Sequence, residues 1–277
     1  MQDRPTSRIR RDQAFSRRQQ RERAYYEEFP RPSVPEQVTF DPVRGVESRP
    51  WNSYWFLYEF VRRQYCATGQ QLLDFGCGAG VPGLRFASLG YEVHGFDLSP
   101  RNVTLADRLA QRYGLQDRTH FSVQVAERLD YPTDCFDIVA GIDILHHVEI
   151  RSALHEVRRV LKPGGVAVFR EPIEAPVLDR IRNTRLVRWL APNDESFDTH
   201  ITEDERKLSH DDVAAIRATL PAVEIHPFAL LARFNRFVAN SGRLSQATLE
   251  KVDQRLFRAF PSLRKYAGCA VLILRKQ

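Results

Sequence analysis

Cysteine is scarce in this chain of 277 residues, and long apolar runs are missing. The four cysteines, Cys66, Cys77, Cys135 and Cys269, have no CxxC or other metal-ligand spacing. Free thiols in a reducing, cytoplasmic setting are therefore expected, and no metal site is predicted. No run reaches the ~18–20 apolar residues of a membrane-spanning helix. The first residues also lack the apolar segment of a secretory signal, so none is expected.

Hydrophobic residues make up 43% of the chain, which excludes general disorder, but the charge is unevenly placed. Nine arginines against five acids give residues 1–31 a charge of +4, out of +6 for the whole chain. Residues 1–50 are interpreted as a basic N-terminal arm and linker, with one helix at Arg17–Glu28. Such an arm can contact nucleic acid or an anionic membrane, or remain a solvated extension.

From residue 51 onward, an aromatic amphipathic helix opens a folded domain in which strand and helix patterns alternate. This alternation is typical of a parallel sheet covered by helices on both faces. The predicted strands are Gln71–Phe75, Glu92–Asp97, His120–Val125, Asp137–Ile142, Val166–Arg170, Val223–Phe234 and Cys269–Arg275.

A glycine-rich loop directly follows the first predicted strand, at Asp74-Phe75-Gly76-Cys77-Gly78-Ala79-Gly80. Glycines allow a sharp turn there and let a ligand lie against the backbone. The next strand ends in Asp97, 23 residues after Asp74, close to the ~20 expected for a carboxylate that binds ribose hydroxyls. Together these features predict a nucleotide-type site.

The loop sequence LLDFGCGAG (72–80) resembles motif I of the class I S-adenosylmethionine (SAM)-dependent methyltransferases. The likeness continues, in the family's order and spacing, at FDLSP (96–100), CFDIV (135–139), ILHHV (144–148) and RRVLKPGG (158–165). It implies a Rossmann-like α/β fold with seven strands, mostly parallel, and an antiparallel last strand. The closest likeness is to small-molecule methyltransferases of the type that act on quinones and natural products.

The resemblance also implies which residues hold SAM. Asp97 would bind the ribose and Leu98 the adenine, while Asp74 would help to hold the amino-acid end. Where relatives often have Asp-Ala against the adenine, this chain has Val125-Ala126. Either Glu127 replaces that acid, or backbone and packing around Ala126 hold the base. The loop residues expected to line the methionine and ribose parts are Gly76, Cys77, Gly78 and Gly80.

Candidates for the chemistry follow the later strands, because open α/β sheets bind ligands at the carboxyl ends of their strands. His146 and His147 are the candidate general bases, although they can equally begin a helix. Asp143 is a candidate cofactor contact, as is Tyr54, whose aromatic cluster can alternatively be core. Glu171 either sets a turn or contacts the substrate.

Two inserts, at about 173–210 and 235–267, are expected to roof the carboxyl edge as a substrate lid. The function expected is methyl transfer from SAM to a small organic acceptor, at oxygen rather than nitrogen or carbon. Two alternatives stay open. One is a nucleic-acid methyltransferase that uses the basic arm, which is disfavoured because no nucleic-acid motif is present. The other is a SAM-binding partner subunit without catalysis. The sequence does not predict the oligomeric state.

Overall fold

The computed structural model of this chain describes residues 16–28, 49–175, 206–234 and 245–277. Its strands form one seven-stranded sheet in the order β3-β2-β1-β4-β5-β7-β6. Strand β7 runs antiparallel to both neighbours, while the pairs among β1 to β5 are parallel. The predicted fold class is therefore confirmed. The strands are β1 Gln71–Phe75, β2 Glu92–Asp97, β3 Thr119–Val123, β4 Phe136–Ile142, β5 Leu161–Pro172, β6 Ala222–Phe228 and β7 Cys269–Arg275.

Helices precede and connect these strands, and polar caps fix where several of them begin. The Asn52 side chain accepts N–H bonds at the start of α2, and Ser99 does so for α4, whose first residue is Pro100. The described helices are α1 Arg17–Glu28, α2 Ser53–Gln64, α3 Val81–Ser88, α4 Pro100–Arg112, α5 Ile150–Val160, α6 His210–Thr219 and α7 Gln246–Ala259, with 3-10 turns at Leu145–His147, Ala232–Phe234 and Pro261–Tyr266.

Alternate residues of the central strands pack on opposite faces of the sheet. Leu73 belongs to a core shared with Leu154 of α5, whereas its neighbour Leu72 packs in a core with Leu57 of α2. All three side chains are fully buried, and burial of each stabilises the fold by ~1.5–3 kcal/mol. Because both faces are covered, the middle residues of the central strand β4, like Leu72 and Leu73 of β1, are apolar and buried.

Several strand boundaries differ from the predicted ones by one or two residues, and two differ by five residues or more. Strand β5 begins at Leu161 rather than Val166, since Leu161 pairs with Phe136 and the register then shifts to Ile138–Val166. Strand β6 ends at Phe228 instead of continuing to Phe234. Beyond it, the Asp253 carboxylate accepts hydrogen bonds from the backbone N–H groups of residues 230, 231 and 232. These bonds hold the chain in a 3-10 turn.

The two inserts are only partly described. Residues 176–205 and 235–244 lie outside the described ranges, so most of the first insert stays a prediction. Its two ends meet at the end of β5, where Leu208 donates its N–H to Pro172 and accepts from Glu174. In the second insert, α7 packs beside β6. Strand β6 lies at the edge of the sheet, three places from β4.

Candidate functional site

A cavity of about 490 Å³ lies at the carboxyl ends of β1, β2, β4 and β5. Its walls come from the glycine loop, from the segments after β2, β3 and β4, and from the end of β5. One wall was not anticipated. Gln19 and Glu22 of α1, which belong to the basic arm, also line it, and Glu22 is only 4% exposed. The interpretation of the basic arm as a solvated extension is therefore wrong for this helix.

The glycine loop forms the floor of the cavity. Gly76, Gly78 and Gly80 all have positive φ, at 76°, 52° and 84°, a region in which L side chains are strained. A Cβ on Gly76 would lie 2.5 Å from side-chain carbons of Ile144. Gly76 and Gly78 line the cavity, whereas Gly80 caps α3 behind it. The glycines thus provide a bare backbone surface against which a ligand can lie.

Asp97 fixes the position of this loop from the end of β2. One carboxylate oxygen accepts the N–H of Gly78 at 3.0 Å. The other accepts the Ser99 N–H at 2.9 Å and the Asn102 side-chain amide at 3.0 Å. Asp97 lines the cavity beside Leu98, so an acceptor for hydroxyl groups stands next to an apolar side chain, as a nucleoside requires.

Asp74 lies beneath the loop instead of in the cavity wall. It is 1% exposed, and its Oδ2 has no hydrogen-bond partner among the described residues. Burial raises the pKa of this carboxyl to about 7; the nearby Gly83 N–H lowers it and the Asp97 charge raises it. A buried acid with a pKa near neutrality suits a cationic ligand, because a positive charge nearby would favour the ionised carboxylate.

The segment after β3 makes a tight turn, with Arg128 donating its N–H to the carbonyl of Val125 at 3.1 Å. Ala126 and Glu127 occupy the middle of this turn and line the cavity. Two donors fix the Glu127 carboxylate: the Glu149 backbone N–H at 3.0 Å and the Gln19 side-chain amide at 2.9 Å. Glu127 is therefore an oriented acceptor at the cavity wall.

His146 and Glu171 form a buried pair at the end of β4 and β5. The Nδ1 atom of His146 lies 2.7 Å from Oε2 of Glu171, and the two side chains are 3% and 0% exposed. The other oxygen of Glu171 accepts the N–H groups of Ile144 and Leu145 at 2.9 and 2.8 Å. In the tautomer with the imidazole proton on Nδ1, His146 donates to Glu171 and Nε2 is the basic nitrogen.

His147 lies beside His146, with the ring centroids 4.2 Å apart and the ring planes tilted by 39°. Its Nδ1 lies 3.4 Å from a carboxylate oxygen of Glu22. Arg18, one turn before Glu22, donates to the backbone carbonyl of His146 at 3.2 Å. The two predicted histidines are thus both at the cavity. His146 is hydrogen-bonded to an acid of the sheet, whereas His147 lies near an acid of the arm.

Asp143, Arg170 and Tyr54 form a polar cluster at the cavity rim. The Asp143 carboxylate pairs with the Arg170 guanidinium and accepts the Tyr54 hydroxyl at 3.0 Å. The guanidinium lies 4.3 Å from the centre of the Tyr54 ring. Asp143 has a φ of 55°, a strained conformation for a residue other than glycine. Asp143 and Arg170 line the cavity, whereas Tyr54 supports them from behind.

Comparison with known proteins assigns the domain. A family profile described as "Methyltransferase domain" matches residues 73–169. The "Uncharacterized methyltransferase YcgJ" of Bacillus subtilis (strain 168) is 35% identical over 126 residues, 44% of this chain and 49% of that protein. The "Ubiquinone biosynthesis O-methyltransferase" of Cereibacter sphaeroides (strain ATCC 17029 / ATH 2.4.9) is 33% identical over 141 residues, 50% of this chain and 56% of that protein.

Residues 73–169 thus match the methyltransferase domain family, and over this region the chain is similar to the class I SAM-dependent methyltransferases. It spans about half the length of the curated relatives that it matches. Among solved structures, the cyclase SpnF is similar with a TM-score of 0.53 and 25% identity, over 80% of each chain. The methyltransferase fold and the cofactor SAM follow from these likenesses.

The cavity of this chain fits SAM. The bare backbone at Gly76 is a surface that any side chain would fill, and the unpartnered Oδ2 of Asp74 suits a cationic cofactor. Of the site residues predicted from the sequence, all but Tyr54, Asp74, Gly80 and Glu171 line the cavity. Their roles toward the cofactor and the acceptor stay predictions.

Within the described ranges, no group of three or more His, Cys, Asp or Glu side chains is arranged to hold a metal ion. Over the same residues, no helix combines the length and apolarity required to cross a membrane. Sequence reasoning missed five polar side chains that line this site: Gln19, Glu22, Asn102, Gln124 and Arg170. Of these, only Arg170 could have been found from the sequence, because it is a charged residue in an otherwise apolar predicted strand.

Proposed function

We propose that this protein transfers the methyl group of SAM to an oxygen atom of a small organic acceptor. The observation that carries the proposal is His146, which lines the cavity and is paired with the buried carboxylate of Glu171. A base is needed only where the acceptor arrives protonated, as a hydroxyl or phenol does. An oriented imidazole meets that need, because its unperturbed pKa lies near neutrality.

When bound, SAM supplies an electrophilic methyl group, and the protein supplies alignment, proton transfer and protection from water. Gly76, Gly78 and Asp97 would hold it along the loop. Nε2 of His146 would accept the proton of the acceptor hydroxyl, and Glu171 would stabilise the imidazolium that forms. Glu22 and Gln19 close one side of the cavity and thereby exclude water.

Relatives support the choice of oxygen and of a small molecule. The Cereibacter sphaeroides relative is an O-methyltransferase of ubiquinone biosynthesis. The rival use of the basic arm on nucleic acid is weakened because Arg18 and Glu22 of α1 contact the domain itself. The likeness to the cyclase SpnF raises a second candidate, in which the same cavity hosts a reaction other than methyl transfer.

The test incubates the full chain with SAM and a panel of phenols, alcohols, carboxylic acids and amines. Mass spectrometry measures the methylated product and S-adenosyl-L-homocysteine (SAH) together. The proposal expects stoichiometric O-methyl product and SAH from at least one oxygen acceptor. Methylated amines alone, or SAM binding without any SAH, would overturn it, and the second result would favour the cyclase-like or non-catalytic candidates.

A matched pair of variants assigns the base. His146→Asn keeps a donor toward Glu171 but removes the basic nitrogen, and it is expected to lower kcat by a factor of ~10²–10⁴. His155→Asn makes the same change at an exposed position on α5 and should leave kcat unchanged. Equal rates for both variants would remove His146 from the mechanism.

A further inference from the structure

Three polar side chains of helix α1 contact segments that form the cavity. Arg18 donates to the carbonyl of His146, and Glu22 lies beside His147. Gln19, between them, donates its side-chain amide to Glu127, from which it is separated by 108 residues of sequence. These three side chains share one face of the helix, whereas Gln20 and Arg21 are exposed on the other.

Glu127 is the residue on which this contact acts. The tight turn from Val125 to Arg128 places it at the cavity wall, while the position of the usual acid is taken by Val125, which is buried and apolar. A carboxylate offers about four acceptor positions. The Glu149 N–H and the Gln19 amide use two of them, one on each oxygen, so the group is oriented and retains capacity for a further donor.

We propose that Gln19 of the N-terminal arm is a specificity-determining positioning residue, which holds Glu127 as the acceptor for the exocyclic amino group of the cofactor's adenine. This inference rests on the proposed use of SAM. The amino group of adenine is a donor that a carboxylate accepts, whereas hypoxanthine presents an oxygen at that position and would face the carboxylate with like polarity. The arm thereby takes part in recognition of the base.

Calorimetric titration of the full chain with SAH and with its deaminated analogue, S-inosyl-L-homocysteine, tests the proposal. The wild type should bind SAH about 30-fold more tightly, the ratio that ~2 kcal/mol produces. Glu127→Gln should reduce this preference to about threefold or less, because an amide can also donate to the hypoxanthine oxygen.

The arm is tested by an isosteric pair of variants. Gln19→Glu places a second carboxylate against Glu127 and should reduce the preference at least about fivefold, chiefly by weakening SAH binding. Gln20→Glu introduces the same charge on the exposed face and should leave the preference at its wild-type value. A Gln19→Glu protein that discriminates as the wild type does would overturn the proposal.

Two other outcomes remain informative. If Gln19→Glu weakens both ligands by the same factor, Gln19 only docks the helix, and the proposed role in specificity is wrong. If wild-type protein binds neither ligand, the proposed function fails. These results differ from one another, so the failure of this inference and of the methyltransferase proposal are separable.

Discussion

Substitution of Glu171 by Gln isolates the contribution of the buried carboxylate, because the amide is nearly isosteric. Its oxygen can still accept the N–H groups of Ile144 and Leu145, which lie 2.9 and 2.8 Å from Oε1 in the wild type. The amide nitrogen then occupies the position of Oε2, 2.7 Å from Nδ1 of His146. Since an amide nitrogen only donates, the imidazole proton must move to Nε2, where a base is needed.

The expected result is a loss of kcat by a factor of ~10²–10⁴, because the tautomer is wrong for proton acceptance. The backbone bonds persist, so the free energy of unfolding should fall by less than ~2 kcal/mol, and SAH affinity should stay near the wild-type value. Histidine ring-nitrogen NMR shifts should report the exchanged tautomer directly. Glu174→Gln, three residues further along, is the matched control.

Two outcomes would refute this reasoning. A Glu171→Gln enzyme with wild-type kcat would mean that the carboxylate does not determine the tautomer that catalysis uses. A variant that loses SAH affinity in parallel with kcat would mean that Glu171 supports the loop after β4 and nothing more specific.

Two further predictions concern the glycine loop and the acid beneath it. Gly76→Ala and Gly69→Ala both place a side chain at positive φ, but only the Cβ at position 76 would meet Ile144 at the cavity. Both variants should lose ~1–2 kcal/mol of stability. Only Gly76→Ala should weaken SAH binding, by more than about tenfold in calorimetry. An equal effect of both on SAH would contradict this. The folded-state pKa of Asp74 is raised to about 7. Between about pH 4 and 7 the folded state therefore retains a proton that the unfolded state loses. For this reason the stability of the cofactor-free protein falls as pH rises. Asp74→Asn removes this penalty, and urea titrations should show the variant gaining roughly 2–3 kcal/mol relative to wild type between about pH 5 and pH 8; a difference that does not change with pH would show that the pKa is not raised.

The sequence predicted the sheet and the cofactor loop because both depend on short-range signals. The apolar run before Gly76 and the acid at Asp97 lie within one strand–helix–strand unit, and the backbone geometry of that unit brings them together. The antiparallel β7 came from the family resemblance, since its own apolar pattern contains no information on direction.

The arm and the end of β6 could not be predicted in this way. The approach of Gln19 to Glu127 joins residues that no local pattern connects, and a helix with Arg and Glu on its inner face has the composition of a solvated one. Likewise, β6 stops because Asp253, on a later helix, captures three backbone N–H groups. Such tertiary contacts override a continuous strand pattern.

The measurement that tests the central claim most directly is a calorimetric titration of the wild type and Asp97→Ala with SAH. Asp97 accepts the loop N–H of Gly78 and lines the cavity, so its removal should weaken binding by about 100-fold or more. Asp117→Ala, which removes an exposed acid, is the control and should bind as the wild type does. Saturable binding to the wild type that Asp97→Ala loses is the predicted result. An absence of binding heat with the wild type, or equal binding to all three proteins, would contradict the account.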